Sequence, residues 1–429
     1  MAAPIREDDC KTAVQNLLGT EDFVLEGLTV RGVGDGNAAG FMGRHCKLTV
    51  AVRVGGELRE LRFFAKLPPA TKSHRAFVID AKLFHRECVA YTCLAPMMND
   101  ALPHNLSIPY PRCYFSRDTV NPEITPVPGS AEEEIIILED VSFRGCEFRE
   151  GFPTMDLHHC RVVMRSLARL HAASILYEHR RRPSPDESLG PRSFLDDLWK
   201  PGIARSYAQS CSRTVATASA CLWPEEFGNG RDAEVFSAMV KAWDLLFDAG
   251  TAFPQYSNIM CHGDTWTNNI LFSYEETEGG CKVPVDCVFV DLQIVQYVPP
   301  VTDILVFLHI GTRREFRERH TKSLLELYHK TLGEYVGTDL LERVLPFSAL
   351  LQSHADLRAI GLIIPAAYLP VIFEDMVKGG EKSGEPMDID EAILKDRGET
   401  IASNCKLSQA YGERIMECFR ECLEGLGLW

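Results

Sequence analysis

The spacing of apolar positions changes character roughly a third of the way along the chain. Residues 28–31, 46–53 and 58–66 read as strands, the last two joined by the turn Gly55-Gly56, and they predict three successive antiparallel strands. Pro68 and Pro69 stop the third. Residues 77–98 take up helical spacing, with Phe84, Cys88, Tyr91 and Leu94 on one face. A proline-rich, acidic connection over 121–134 leads into the tight apolar run 134–141, which predicts a short buried strand. Strands then become rare. Helices are predicted over 156–179, 194–209, 233–249, 323–335 and 412–426, interrupted by one hairpin that pairs 269–272 with 287–291. The pattern predicts an α+β protein of two lobes: a small, antiparallel β-rich lobe over 1–138, a hinge over 139–144 and a larger, mainly helical lobe over 145–429. No period of about 20–50 residues recurs, which sets solenoids and propellers aside.

Composition narrows the class. The chain has 429 residues, 45% of them apolar and 24% charged, enough for a sizeable core, so a disordered or fibrous protein is excluded. Sixty acidic against 45 basic residues leave a net charge of -15, which argues against nucleic acid or an anionic membrane as the main partner. The 15 cysteines include no C-x-x-C pair and read as reduced thiols of a cytoplasmic protein. The first ten residues are polar and acidic and do not read as a secretory signal. The most apolar stretch, 359–373, falls short of the roughly 20 residues of a bilayer span. It holds Pro365 and Pro370 and predicts buried core.

The sharpest chemical signal is Cys261-His-Gly-Asp-Thr-Trp-Thr-Asn-Asn-Ile-Leu-Phe272. Asp264 and Asn269 stand five apart on a loop that runs into a strand, the spacing of a kinase catalytic loop. In phosphoryl transfer such an aspartate orients the acceptor hydroxyl and accepts its proton, and the asparagine turns its oxygen to magnesium. Alone, Asp264 also reads as a helix cap in a polar turn. Asp291 ends an apolar strand one hairpin after Asn269, where a second magnesium carboxylate belongs. Lys66 ends the third strand at the mouth of an apolar cleft, a position suited to gripping nucleotide phosphates, and Glu87 in the following helix is placed to hold it. Each would pass for a surface charge by itself; together, ahead of the catalytic loop, they read as a pair. Gly32, Gly34, Gly36, Gly40 and Gly43 lie between the first two strands, where backbone amides can approach phosphate, with Gly36 central to a flap. No G-x-x-x-x-G-K-[ST], H-E-x-x-H or G-x-S-x-G occurs. His158 and His159 read as surface or capping residues, and Cys418 with Cys422 as packing.

With these residues in place the chain resembles the ecdysteroid kinase-like family of arthropods, relatives of choline kinases and aminoglycoside phosphotransferases within the protein-kinase-like fold. The H-G-D-x-W-x-x-N motif is similar to His262-Gly263-Asp264-Thr265-Trp266-Thr267-Asn268-Asn269, and D-F-Q to Asp291-Leu292-Gln293. The L-E-D-[LV] hinge is similar to Leu138-Glu139-Asp140-Val141, and L-A-x-x-H-A-x-S to Leu167-Ala168-Arg169-Leu170-His171-Ala172-Ala173-Ser174. The resemblance implies ATP and Mg2+ as cofactors and a buttressing role for Asp303. It also implies adenine held by the carbonyl of Glu139 and the amide of Val141. The flap departs from the family's G-x-N-Y-x-S, reading Asp35-Gly-Asn-Ala-Ala-Gly40, and Leu292 replaces Phe.

The expected activity is therefore ATP- and magnesium-dependent phosphorylation of a small-molecule hydroxyl: Asp264 as base, Asn269 and Asp291 on the metal, Lys66 and Glu87 on the nucleotide. The resemblance implies a steroid alcohol such as an ecdysteroid, or a hydroxylated xenobiotic. Choline, ethanolamine or an aminoglycoside is the alternative acceptor, and a non-catalytic pseudokinase that binds a ligand is the alternative class. Oligomeric state leaves no trace in the sequence.

Overall fold

An unbroken apolar run such as Ile135-Ile136-Ile137-Leu138 has to be covered on both faces, and the fold does this by placing it inside a sheet. The protein is described by a computed structural model over residues 5–33, 43–69, 72–118, 134–149, 154–180, 202–248, 253–374, 377 and 394–429. Helix α1 (Glu7–Leu18) precedes strands β1 (Val24–Gly32), β2 (Arg44–Val54) and β3 (Glu57–Leu67). Then come α2 (Lys72–Asp80), α3 (Leu83–Val89), a π-helical turn (Ala90–Leu94), α4 (Ala95–Asn99), β4 (Cys113–Arg117) and β5 (Ile135–Glu139). The five strands form one antiparallel sheet in the order β1-β2-β3-β5-β4. Ile135 and Ile137 pack with Cys10, Ala13 and Val14 of α1 and with alternate residues of β2 and β3. Ile136 and Leu138 join the main core with Phe84 and Cys88.

Two expectations about this region change. The helix predicted over 77–98 is broken at Lys82, whose φ of 52° ends α2 and starts α3 in a new direction. Helix α1 was hidden by its acidic first turn, yet its Cys10, Ala13 and Val14 make an apolar stripe at helical spacing. Asn16 fastens it to the sheet by donating to the Tyr114 carbonyl at 2.8 Å, and Asp9 pairs with Arg117.

A 3-10 turn (Val141–Arg144) follows β5, then β6 (Cys146–Phe148) and the long helix α5 (Leu157–Arg180). Helices α6 (Gly202–Leu222), α7 (Pro224–Phe227) and α8 (Asp232–Phe247) lead to β7 (Ile259–Cys261), β8 (Ile270–Glu276), β9 (Lys282–Phe289) and β10 (Gln296–Val298). The chain closes with α9 (Val301–Gly311), α10 (Arg314–Val336), α11 (Thr338–Val344), α12 (Phe347–Asp356), α13 (Arg358–Ile372), α14 (Gly398–Leu407) and α15 (Gln409–Gly425). The predicted hairpin is β8–β9, widened by β6 into three strands, while β7 pairs with β10 in a ribbon that the sequence pattern did not reveal. The fold is thus α+β, an antiparallel β-rich N-terminal region followed by a helical part.

Residues 359–373 are core, as expected, but α13 runs through both Pro365 and Pro370. Gly361 lets it press on α9: a Cβ there would meet His309 Nδ1 at 2.6 Å. His159, expected at the surface or as a cap, is buried; its ring nitrogens reach Asp156 and the Tyr274 hydroxyl. No single helix among the described residues is long and apolar enough to cross a membrane.

Candidate active site

Four backbone segments supply the charged cluster. Lys66, one residue from the end of β3, stands opposite Ile136 of the buried strand β5. Its ammonium lies 2.6 Å from Glu87 Oε2 on α3 and 2.7 Å from Asp291 Oδ1 just after β9. The sequence pairing of Lys66 with Glu87 is thus realised, and Asp291 is added from 225 residues away. Burial alone would lower the Lys66 pKa, but Asp291 and Glu87 more than offset it and hold the ammonium above the ordinary lysine value. The lysine stays charged in a site only 4% exposed.

Asp264 lies in the loop between β7 and β8, and Asn269 ends the 3-10 turn Thr267–Asn269 that enters β8. Asn269 Nδ2 donates to Asp264 Oδ2 at 2.9 Å and to the Asp264 carbonyl at 3.0 Å. With its amide hydrogens committed there, Asn269 keeps its carbonyl oxygen for another partner. Asp264 Oδ1 is buried and accepts no hydrogen bond among the described residues. Burial, with the nearby Asp291 charge second, pushes the Asp264 carboxyl up to about 7.

Local geometry explains why this loop has its sequence. Gly263 has φ +82°, and a Cβ on it would sit 2.1 Å from the Ile294 carbonyl oxygen, so glycine alone lets the loop lie against the segment after Asp291. His262 Nε2 donates to the Val290 carbonyl at 3.0 Å, while its Nδ1 accepts from the Asp264 amide at 3.2 Å. Burial lowers the His262 pKa, which keeps the ring neutral for this double role. The Val290 amide donates to the Asn269 carbonyl at 2.9 Å. The Asp264 and Asp291 segments are therefore bolted together by main chain.

Asp303, on the first turn of α9, accepts from the His262 amide at 2.7 Å and the Gly263 amide at 2.8 Å. His171 Nε2 lies 3.2 Å from its Oδ2. Burial works against the Asp303 charge, but the His171 bond leads the interactions that hold its pKa below the usual carboxylate value. His171, Cys261 and Asp303 converge within 4.8 Å. Asp303 is already engaged by three N–H groups and burial pushes the Cys261 thiol well up, so the trio supports the loop rather than holding a cation.

Glu139 and Val141 sit at the end of β5 and the start of the following turn, apart from the charged cluster. Asp140 between them accepts from the Ser142 amide at 3.1 Å and pairs with Lys47 of β2 at 3.2 Å, which fixes this connection to the sheet. Gly36 and the departing flap sequence 35–40 lie outside the described residues. Gly43 is described: a Cβ there would be 3.1 Å from Lys66 Cε and from the Leu67 carbonyl oxygen, so the chain passes directly over the lysine.

Two residues near the site gave no signal as lone tyrosines. Burial pushes the phenols of Tyr207 on α6 and Tyr368 on α13 well above the ordinary tyrosine value, and the Asp264 charge adds to it in both. Both hydroxyls therefore lie within electrostatic reach of Asp264. Tyr207 also packs edge-on to Trp243 with centroids 5.8 Å apart. A separate cavity of about 440 Å3, lined by Ile175, Glu178, Ile259, Tyr297, Leu340 and Val344 among others, shares none of the charged residues.

The ecdysteroid kinase-like family model matches residues 37–338, well over half of the chain. The chain belongs to that family, and with it to the small-molecule kinases. Among solved structures it is similar to an ethanolamine kinase of Plasmodium vivax, with 10% identity, 90% of this chain and 83% of that one covered, and a TM-score of 0.39. It is also similar to a choline kinase of Cryptosporidium parvum, with 13% identity, 94% and 91% covered, and a TM-score of 0.40. No curated protein matches the chain by sequence.

Proposed function

We propose that the protein transfers the terminal phosphoryl group of ATP, with magnesium, to a hydroxyl of a small apolar molecule such as a steroid alcohol or a hydroxylated xenobiotic. The observation that carries this reading is the Lys66 ammonium held between Glu87 and Asp291, on a loop-bolted scaffold that also presents the Asp264–Asn269 pair. Asn269 Oδ1 and Asp291 form a hard, all-oxygen donor set of the kind magnesium takes, and the unbonded Asp264 Oδ1 fits an incoming hydroxyl. When bound, magnesium neutralises charge at the transferred group. Lys66, kept ionised by its two carboxylates, binds phosphate oxygens. Asp264 orients the acceptor hydroxyl at Oδ1 and takes its proton, a task suited to a carboxyl raised towards neutrality.

On this reading residues 1–138 form the nucleotide lobe, 139–144 the hinge and 145–429 the acceptor lobe. Adenine bonds the Glu139 carbonyl and the Val141 amide, and Gly36 belongs to the phosphate flap. The tyrosines near Asp264, and Trp243 packed against Tyr207, support an apolar acceptor. Fifteen free thiols support a reducing compartment such as the cytoplasm. A screen of hydroxylated steroids, phenols, glucosides and amino alcohols with labelled ATP and magnesium tests the reading, and label is expected on an apolar alcohol. Label confined to amino alcohols would move the acceptor to the choline or ethanolamine class. Tight Mg·ATP binding without transfer to any acceptor would overturn the catalytic reading.

A further inference from the structure

The catalytic loop hangs on Asp303, and Asp303 in turn meets His171 of α5. The other nitrogen of that ring, Nδ1, lies 2.8 Å from the hydroxyl of Tyr328 on α10. Tyr328, His171 and Asp303 are all 0% exposed, so no solvent completes their hydrogen bonds. Asp303 Oδ2 can only accept from a ring N–H, which requires the proton on His171 Nε2. The Tyr328 hydrogen needs an acceptor in turn, and among the described residues His171 Nδ1 is the one within hydrogen-bond distance. A proton on Nδ1 would leave a buried phenol hydrogen unsatisfied. The three groups admit one arrangement: Tyr328 O–H donates to Nδ1, and Nε2–H donates to Asp303, whose carboxylate then grips the amides of His262 and Gly263.

We infer that Tyr328 is a positioning residue of the reaction, holding the His171 ring in the orientation that fixes Asp303 and thereby the loop carrying Asp264. The inference rests on the proposed role of Asp264. Removing the hydroxyl leaves Asp303 to keep the proton on Nε2 but strips Nδ1 of its donor, so the ring is held at one edge alone and the loop loosens. Catalytic geometry is sensitive to such displacements, whereas the nucleotide contacts through Lys66 and Asp291 do not pass through α10.

Tyr328→Phe keeps the ring and its packing and serves as the test. With histidine labelled by 15N, His171 should show the Nε2–H tautomer in both proteins, and its Nδ1 signal should move downfield in the variant as that nitrogen loses its donor. Hydrogen exchange of a peptide spanning 262–265 should quicken by about tenfold. On an acceptor from the screen, kcat should fall by about tenfold with the Mg·ATP Kd within about twofold. In a His171→Gln background, whose amide still donates to Asp303, Tyr328→Phe should cost less than about twofold more. An unchanged Nδ1 signal and unchanged exchange in folded Tyr328→Phe would overturn the inference, as would a full tenfold loss persisting in the His171→Gln background. If the wild type transfers no phosphoryl group, the functional reading fails, and the Nδ1 signal and exchange measurements still decide this one.

Discussion

Asp264 shows how far its surroundings retune one carboxylate. Burial and the Asp291 charge raise its pKa to about 7, against the bond from Asn269, which favours the ionised form. Because this value lies above the ordinary carboxylate value of about 3.9, folded protein keeps a proton between pH 4 and 7 that the unfolded chain has released. Stability from this group is therefore full at the acid end and is lost as pH rises through 7. Asp264→Asn keeps an acceptor for Asn269 and removes the buried charge. In metal- and nucleotide-free protein the variant should gain on the order of 2 kcal/mol over wild type above pH 7 and nothing below pH 4, as read by urea unfolding across pH. The same substitution should lower kcat by about 10²-fold or more with ATP binding retained, as steady-state kinetics and calorimetry would show. A drop of less than about fivefold would remove Asp264 from the role. Gly263→Ala should cost more than about 2 kcal/mol, since both its φ and the Ile294 carbonyl reject a Cβ; thermal unfolding checks it.

At the scale of elements, the end of β5 and the turn Val141–Arg144 make a stiff connection rather than a loose one, with Asp140 pinned by Ser142 and Lys47. Val141 opens that turn, and the first position of a helical turn tolerates proline because its N–H has no intrahelical partner. Val141→Pro therefore tests the adenine contact with little damage to the fold. It should weaken ATP binding at least about tenfold, whereas Glu139→Gln should leave it within a few-fold; calorimetry separates them. Glu139 itself pairs with the half-exposed Arg144 at 3.0 Å, a contact of small energetic weight.

Taken as a whole molecule, the β-rich region and the helical part meet through the charged cluster, since Lys66 and Glu87 come from one and Asp291 from the other. A ligand that engages both should stabilise them together. At about 100 times its Kd, Mg·ATP should add roughly 2.7 kcal/mol, seen as a rise in Tm, and ATP with EDTA should add far less. Asp291→Asn should abolish the magnesium-dependent part. Asparagine is the substitution of choice because Asp291 has φ 70°, a conformation asparagine accepts and alanine resists. An undiminished magnesium-dependent shift in that folded variant would remove Asp291 from the metal.

Much of the candidate site was legible because it is local. Asp264 and Asn269 lie on one short loop, and the apolar alternation of β2 and β3 ends where Lys66 must point inward, so spacing alone placed them. The pattern also announced β5, whose two-sided burial demands an unbroken apolar run. The second partner of Lys66 was not legible as a contact, because Asp291 arrives from 225 residues away. Neither was the link from Tyr328 to His171, separated by 157 residues, because nothing in the flanking periodicity tells one buried tyrosine from another. Strands β6, β7 and β10, three residues each, are too short to show a period, and the broken helix at Lys82 follows from a single backbone angle. By itself the sequence determined the periodic elements and the short-range motifs. Only the tertiary structure decided which distant carboxylates and rings complete one another, because a buried charge or hydrogen takes whichever partner the packing brings within reach.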